Sequence, residues 1–461
     1  MLKIFDLIIV GGGVAGIAAA MRVAKSGLKV ALIEKEVIGG VHVNWGGIPT
    51  KALISAAETS KKVRYGKRLG IIGKVEIDWD LLQKHRRAIV TQILNFNLLA
   101  LKKSKVEIFY GIGELVSSSK VRVLLNSGEE KVLETKNILI ATGSQSTTIP
   151  SIPLSSKILD SYGAIQLEKP PESLLVIGGG AVGLEFATIF SLLGTKVIVV
   201  ELLPKLLPNE EPDVGEFIKK RLEKDGIRVL IGSKVVDVRD KDDYVEVVVD
   251  TPDCQSIEKV EKVLMAIGRR PNIEHEKLES LGIKTTKMGI VVNERMQTSM
   301  PNIYAAGDVV GKILLLNVAM KEGKVAAENI TGGQKVMDYT AVPRCVFTLP
   351  EVAAVGLTEE QARKENEDII VVKDPFFSPR AAGAGEVEGF IKIIAEPDGT
   401  LVGATIVGSH ASELIFPLTV GIYKGINALE LAELFYPSPT FSEAIMNVLG
   451  KVGGKAIFGI R

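Results

Sequence analysis

An α/β chain with two parallel-sheet domains followed by an α+β domain is predicted by three observations. A glycine turn of the form Gly-x-Gly-x-x-Gly occurs twice, at Gly11, Gly13 and Gly16 and again at Gly178, Gly180 and Gly183. Each copy follows a short, continuous apolar run and opens an apolar segment of helical length. In each copy an acid stands eighteen positions after the third glycine, Glu34 in the first and Glu201 in the second. In such a turn the first glycine permits the tight bend, and the second lets backbone N–H groups approach a pyrophosphate at the helix N-terminus. The third lets helix and strand pack closely. One such turn is a weak signal, but two with matching strands and acids mark two Rossmann-like dinucleotide-binding domains.

The elements follow in order. Phe5 to Val10 reads as a buried strand, Val14 to Lys25 as the helix it feeds, and Lys29 to Glu34 as the next strand, whose acid can accept hydrogen bonds from a ribose. Residues 52 to 104 carry apolar residues at helical spacing, Leu81, Leu82, Ile89, Ile93 and Leu98 among them, and fit two helices. Val106 to Ile140 reads as a β-meander with turns at Gly111, Gly113 and Gly128, closing on Ala141-Thr142-Gly143. The second copy repeats the scheme: a strand Leu174 to Ile177, a helix from about Leu184, and a strand Lys196 to Val200 ending in Glu201. An acid there favours NADH, because a 2′-phosphate would meet carboxylate repulsion. Strand endings on glycine recur at Val263 to Gly268 and at Asn302 to Asp308. From Ala341 onward, strands at Gly389 to Ile394 and Leu401 to Val407 mix with helices.

Composition narrows the class. The 461 residues are 46% hydrophobic and 24% charged, enough for about three domains with buried cores. A net charge of +1 argues against a nucleic-acid partner. Cys254 and Cys345 have no metal-ligand spacing and no neighbouring histidine, so no metal centre is expected, and two isolated thiols fit a reducing, cytoplasmic setting. The apolar run Leu7 to Met21 is broken by its Gly-Gly-Gly centre and reads as strand plus helix, not as a membrane span.

Between the first Rossmann-like unit and the helices lies Gly39-Gly40-Val41-His42-Val43-Asn44-Trp45-Gly46-Gly47-Ile48-Pro49-Thr50-Lys51. This stretch resembles the redox-active turn of the pyridine nucleotide-disulfide oxidoreductases, of which dihydrolipoamide dehydrogenase is one. That family writes it Gly-Gly-x-Cys-x-Asn-x-Gly-Cys-x-Pro-Ser/Thr-Lys. Together with the two fingerprints, the resemblance covers essentially the whole chain. It implies an FAD-binding domain over residues 1–145 and 272–340, an NAD-binding domain over 146–271, both of the three-layer ββα type, and a C-terminal α+β dimerisation domain over 341–461. It further implies FAD contacts at Gly11, Gly13, Gly16, Glu34, Lys35, Gly40, Thr50, Lys51, Gly113, Thr142, Gly143, Asp308 and Ala319. NAD contacts are implied at Gly178, Gly180, Gly183, Glu185, Glu201 and Gly268. A homodimer and a Lys51–Glu185 ion pair beside the flavin are implied as well.

The departures are chemical. Both cysteine positions of the turn are replaced, by His42 and Gly47, and the family's C-terminal His-Pro-Thr-x-Ser-Glu reads Ser438-Pro439-Thr440-Phe441-Ser442-Glu443. Without two thiols no disulfide can be attacked and resolved, and serine has no pKa near neutrality with which to replace the acid–base histidine. Ala181 stands where the family often has a larger residue over the nicotinamide. The expected activity is therefore that of an FAD-dependent NADH oxidoreductase passing electrons to a small-molecule, non-disulfide acceptor, a quinone or dye. The alternatives are a non-catalytic FAD/NAD-binding redox sensor or complex subunit, and a dihydrolipoamide dehydrogenase-like protein without its usual chemistry. Lys51, Glu185 and His42 are the expected catalytic residues. Loss of bulk at Gly47 is expected to leave an acceptor space there, with Trp45 at hand to line or fill it.

Overall fold

The computed structural model describes residues 4–454, which divide into two compact units. The first comprises residues up to Ala52, Asp80–Thr147 and Gly268–Asp338, and the second Leu53–Trp79, Thr148–Ile267 and the chain from Tyr339 onward.

In the first unit a parallel sheet runs through Glu107–Ser117, Val30–Glu34, Ile4–Val10, Glu130–Ile140 and Ile303–Ala305. Leu7, Ile8 and Ile9 have no exposed surface, which is why this strand is an unbroken apolar run and not an alternating one. Two of the strands are longer than the parallel sheet needs. Glu107–Ser117 pairs with Val30–Glu34 through its first residues and then with the antiparallel strand Lys120–Leu125, which in turn pairs with the first half of Glu130–Ile140. The meander is thus built from extensions of the sheet strands. Leu115, Val121 and Val123 on it share one core with Ile8, Val10 and Ile138, giving the expected ββα layering.

The sequence reading of this segment needs one correction. Gly111 and Gly113 are not turns but lie inside the strand Glu107–Ser117. A Cβ at Gly111 would lie 2.3 Å from the Leu124 carbonyl oxygen, so glycine is required where the strand changes partner. A Cβ at Gly113 would lie 3.1 Å from Ile33 Cγ2. The turn at Gly128 is present, with φ of 87°.

The second unit repeats the plan. Its parallel sheet runs Arg228–Leu230, Lys196–Val200, Ser173–Ile177, Lys262–Met265 and Ile158–Leu159, beside a separate meander of Lys234–Asp240, Val245–Asp250 and Gln255–Val260. The helix expected from about Leu184 begins at Ala181, because Gly183 is a packing position inside the helix and not part of the turn. The same unit contains a five-stranded antiparallel sheet in the order Arg344–Val346, Glu351–Gly356, Leu401–Gly408, Phe390–Ala395 and Ile370–Pro375. Helices Ala411–Lys424 and Glu443–Val452 bury Ile415, Leu418, Ile445 and Leu449 in the core of that sheet. Among the described residues no helix is long and apolar enough to cross a membrane.

Candidate functional site

The two glycine turns are near copies. Gly11 and Gly178 both have φ of 113°, and a Cβ would lie 2.1 Å from the Ala141 oxygen in the first and 2.4 Å from the Ala266 oxygen in the second. Gly16 and Gly183 pack helix on strand so tightly that a Cβ would stand 2.1 and 2.0 Å from the carbonyl oxygens of Gly11 and Gly178. By contrast, Gly13 and Gly180 face open space, with no atom within 4 Å of a notional Cβ. Each is the N-cap of its helix, Val14–Lys25 or Ala181–Leu192, and neither helix has a side-chain cap or an acid in its first turn. The unpaired first-turn N–H groups and the positive end of the helix dipole at an unobstructed glycine fit a pyrophosphate in both units. The residues present therefore fit two dinucleotides.

The acids Glu34 and Glu201 are buried, and each braces its own turn. Glu34 accepts hydrogen bonds from the backbone N–H of Gly12 at 2.8 Å and of Glu36 at 2.8 Å. Glu201 accepts from Gly179 at 2.5 Å and Leu203 at 2.7 Å. Each carboxylate is fixed and keeps further lone pairs for ribose hydroxyls. Lys35 turns outward, its Nζ 3.3 Å from Glu36.

The segment 39–51 is tied to the first glycine turn. Gly39 N–H donates to the Gly12 carbonyl at 2.8 Å, and a Cβ on Gly40 would lie 2.8 Å from Gly13 Cα. The chain forms a short helix, Gly40–Asn44, then turns through Trp45 into the helix Gly47–Tyr65. Buried Asn44 closes the turn, donating to the carbonyls of Ile38 at 3.1 Å and Gly40 at 3.0 Å. Thr50 donates to the Gly46 carbonyl at 2.8 Å and also lies 3.0 Å from that of Gly47. This explains how the family's framework letters persist without its cysteines: they hold the backbone.

The open space expected beside Gly47 is not there, and Trp45 is not the residue that fills it. The His42 imidazole occupies the volume, so that a Cβ on Gly47 would lie 2.1 Å from His42 Cε1 and 2.2 Å from Nδ1. The two replacements fit one another. Burial, with a smaller contribution from the nearby Lys51 charge, lowers the His42 pKa to about 4. The ring is therefore neutral at physiological pH, able to offer one N–H and one acceptor nitrogen but not a cation.

A second cluster surrounds Asp308. Gly307, with φ of 83°, donates its N–H to the buried Glu322 at 2.7 Å, and a Cβ on it would lie 3.1 Å from Ala15 Cβ and 3.5 Å from Ala319 Cβ. Thr142 donates its hydroxyl to the Asn272 carbonyl at 2.8 Å, and Asn272 N–H returns to the Gly143 carbonyl at 2.9 Å. The crossing strands Ser144–Ser146 and Arg269–Pro271 pair antiparallel, just inside Gly268, whose carbonyl accepts from Thr147 N–H at 3.0 Å. Arg269 and Asn272 lie in the segment Gly268 to Asn272 that follows the strand ending on Gly268, whereas Ser144 and Glu322 escape a motif-based reading, because their roles arise from contacts between distant segments.

Glu185 lies one turn into the helix Ala181–Leu192, and its Oε1 accepts a hydrogen bond from Phe347 N–H at 3.0 Å. Lys51 belongs to the first unit and Glu185 to the second. In the C-terminal segment Glu443 Oε2 accepts from Thr440 N–H at 2.8 Å, so the carboxylate that would orient an imidazole closes its own turn beside Ser438.

Residues 5–323 match the family model of the pyridine nucleotide-disulphide oxidoreductases, and residues 342–449 match that family's dimerisation domain. The chain is 38% identical to dihydrolipoyl dehydrogenase of Geobacillus stearothermophilus, over 96% of this chain and 94% of that protein. It is 39% identical to the enzyme of the same name from Thermus scotoductus, over 99% of both chains. Among solved structures, LpdA from Mycobacterium tuberculosis superposes with a TM-score of 0.90 at 27% identity, covering 97% of this chain and 99% of LpdA. The Cu(II) complex of the HOCl-induced flavoprotein disulfide reductase RclA from Escherichia coli does so with a TM-score of 0.88 at 28% identity, covering 98% of this chain and 100% of RclA. With both dinucleotide loops and the dimerisation domain accounted for, the chain belongs to the pyridine nucleotide-disulphide oxidoreductase family, an oxidoreductase family that uses FAD and NAD(P).

Proposed function

We propose that the protein is an FAD-dependent NADH oxidoreductase whose electron acceptor is a small molecule other than a disulfide, a quinone or dye. The observation that carries this reading is the replacement of both thiol positions by an interlocked His42–Gly47 pair, with the only two cysteines elsewhere, at 254 and 345. FAD, when bound, supplies two-electron redox chemistry between a nicotinamide and an acceptor. The chain's own residues bind and orient. Gly11, Gly13, Gly16, Glu34 and Asp308 hold the flavin dinucleotide in the first unit, and Gly178, Gly180, Gly183 and Glu201 the nicotinamide dinucleotide in the second. Lys51 supplies positive charge near the start of its helix, and in the second unit Glu185 has one oxygen fixed by Phe347 N–H. A cation near the flavin stabilises negative charge developed there. His42 offers the acceptor a neutral imidazole. The reaction in the names of the dihydrolipoyl dehydrogenase relatives is not carried over, because this turn has no thiolate to perform it.

The test is to purify the protein, record its flavin spectrum, and follow anaerobic NADH oxidation with quinones, dyes, dioxygen and lipoamide in turn. Yellow protein that oxidises NADH with a quinone or dye but not with lipoamide is the expected result. Protein that neither retains nor takes up FAD contradicts it.

Glu201 is expected to make NADH the preferred nucleotide. Two like charges about 4 Å apart at an effective dielectric of about 20 repel by about 4 kcal/mol. Even a third of that corresponds to roughly tenfold in kcat/KM. The Glu201 carboxylate, fixed by two backbone N–H groups, cannot swing away to relieve the repulsion. Equal kcat/KM with NADPH would show that Glu201 does not meet the ribose.

The protein is further proposed to be a homodimer through its dimerisation domain. In support, Phe416 and Tyr423 on the helix Ala411–Lys424, with Leu434 and Phe435 after it, are exposed apolar side chains of this domain. Light scattering should give twice the chain mass, and Phe416→Glu combined with Tyr423→Glu should shift the population toward monomer. A monomeric wild-type protein at micromolar concentration would contradict the proposal.

A further inference from the structure

We propose that Arg269 and Ser144 are positioning residues that act on Asp308 to set the affinity of the protein for FAD. The geometry is a one-way relay. Arg269 places Nε 2.8 Å from Ser144 Oγ and Nη2 2.8 Å from the Ser144 carbonyl oxygen, so two arms of the guanidinium hold both ends of Ser144. Ser144 Oγ in turn donates to Asp308 Oδ2 at 2.5 Å. Guanidinium only donates and carboxylate only accepts, so the hydroxyl proton between them points to Asp308. Both bonds to the hydroxyl involve charged groups and are stronger than neutral ones.

The consequence is an aspartate fixed at both ends. Its backbone enters from Gly307, whose N–H is held by buried Glu322, and begins the tight turn Asp308–Val310. Its Oδ2 is taken by Ser144, and Oδ1 is left for a ligand's hydroxyl groups. The arrangement also answers an electrostatic difficulty. A carboxylate near a pyrophosphate is repelled by it, and a guanidinium one hydroxyl away offsets that charge while remaining out of the ligand's path. Arg269 and Ser144 stand on the paired strands by which the chain leaves and re-enters the first unit, 125 residues apart, and Ser144 lies 164 residues from Asp308. No motif spans these positions.

This inference rests on the reading of Asp308 as an FAD contact, and the experiment separates the two. The purified flavoprotein is stripped of flavin and titrated with FAD by fluorescence quenching, with folding checked by circular dichroism. D308A should weaken FAD binding. S144A removes the hydroxyl but leaves the Arg269 bond to the Ser144 carbonyl, and should weaken binding by about tenfold or more. S144T, which keeps a hydroxyl, should restore it, and the S144A/D308A double variant should bind no more weakly than D308A alone. If S144A does not fold, S144C, which keeps the volume with a poorer donor, replaces it with the same expectation. Undiminished affinity in D308A would remove the Asp308 reading. Weakened D308A beside unaffected S144A, or additive losses in the double variant, would overturn the relay and leave Arg269 as a brace for the crossing strands.

Discussion

Gly47→Ala is expected to raise the pKa of His42 from about 4 toward the ordinary histidine value near 6.5. The alanine methyl would stand 2.1 Å from His42 Cε1, closer than any real contact, so ring or backbone must move. The backbone is the stiffer of the two: Asn44 ties the short helix to Ile38 and Gly40, Gly39 is bonded to Gly12, and Thr50 anchors the start of the next helix. The imidazole therefore leaves, and the burial that holds its pKa down is relieved. An NMR titration of the ring checks this, and an unchanged pKa in the variant would show that the helix start moves instead. The same shift governs acid stability. Between about pH 6.5 and 4 the unfolded chain takes up a proton that the folded ring refuses. Stability falls as pH falls through that window, by about 3 kcal/mol at most. His42→Asn should flatten the dependence of Tm on pH over that interval.

The same residues show what a linear sequence can disclose. The glycine fingerprints were legible because their demands are local and steric: a Cβ at Gly11, Gly16, Gly178 or Gly183 would meet a backbone oxygen, so nothing but glycine fits. The strand Lys196–Val200 and the helix Val14–Lys25 lie where the apolar pattern puts them. Gly111 and Gly113 misled the reading for the same steric reason, since glycine in a strand and glycine in a turn look alike until the crowding neighbour is known. Within the site, the loss of both thiols was plain from residue types alone. That His42 would fold back over Gly47 was not, because a side chain's direction depends on the turn between them. The Arg269–Ser144–Asp308 contacts were still less accessible, since they join three segments that meet only in the folded unit.

Turnover of lipoamide by the unmodified protein is expected to be undetectable under conditions that give rapid reduction of a quinone or dye. A disulfide substrate must be attacked by a thiolate and the mixed disulfide resolved by a second thiol, and positions 42 and 47 supply neither. Neutral imidazole cannot stand in, as it carries no pair of electrons between nicotinamide and substrate. NADH should therefore give no thiolate-to-flavin charge-transfer absorbance. The fold itself still favours the missing bond, because the side chain at 42 is already aimed at the Cβ position of 47. Replacing both residues, His42→Cys with Gly47→Cys, should give a pair that oxidises to a disulfide, and loss of two titratable thiols reports its formation. That variant should remain a poor lipoamide reductase, since Ser438 offers no base and Glu443 is engaged with Thr440 N–H. Adding Ser438→His should then raise lipoamide turnover by orders of magnitude over the double variant, in the range that general acid–base catalysis contributes, about 100-fold or more. Robust lipoamide reduction by the wild-type chain, or an equal rate in the double and triple variants, would contradict this account of which half of the family's reaction the chain has lost.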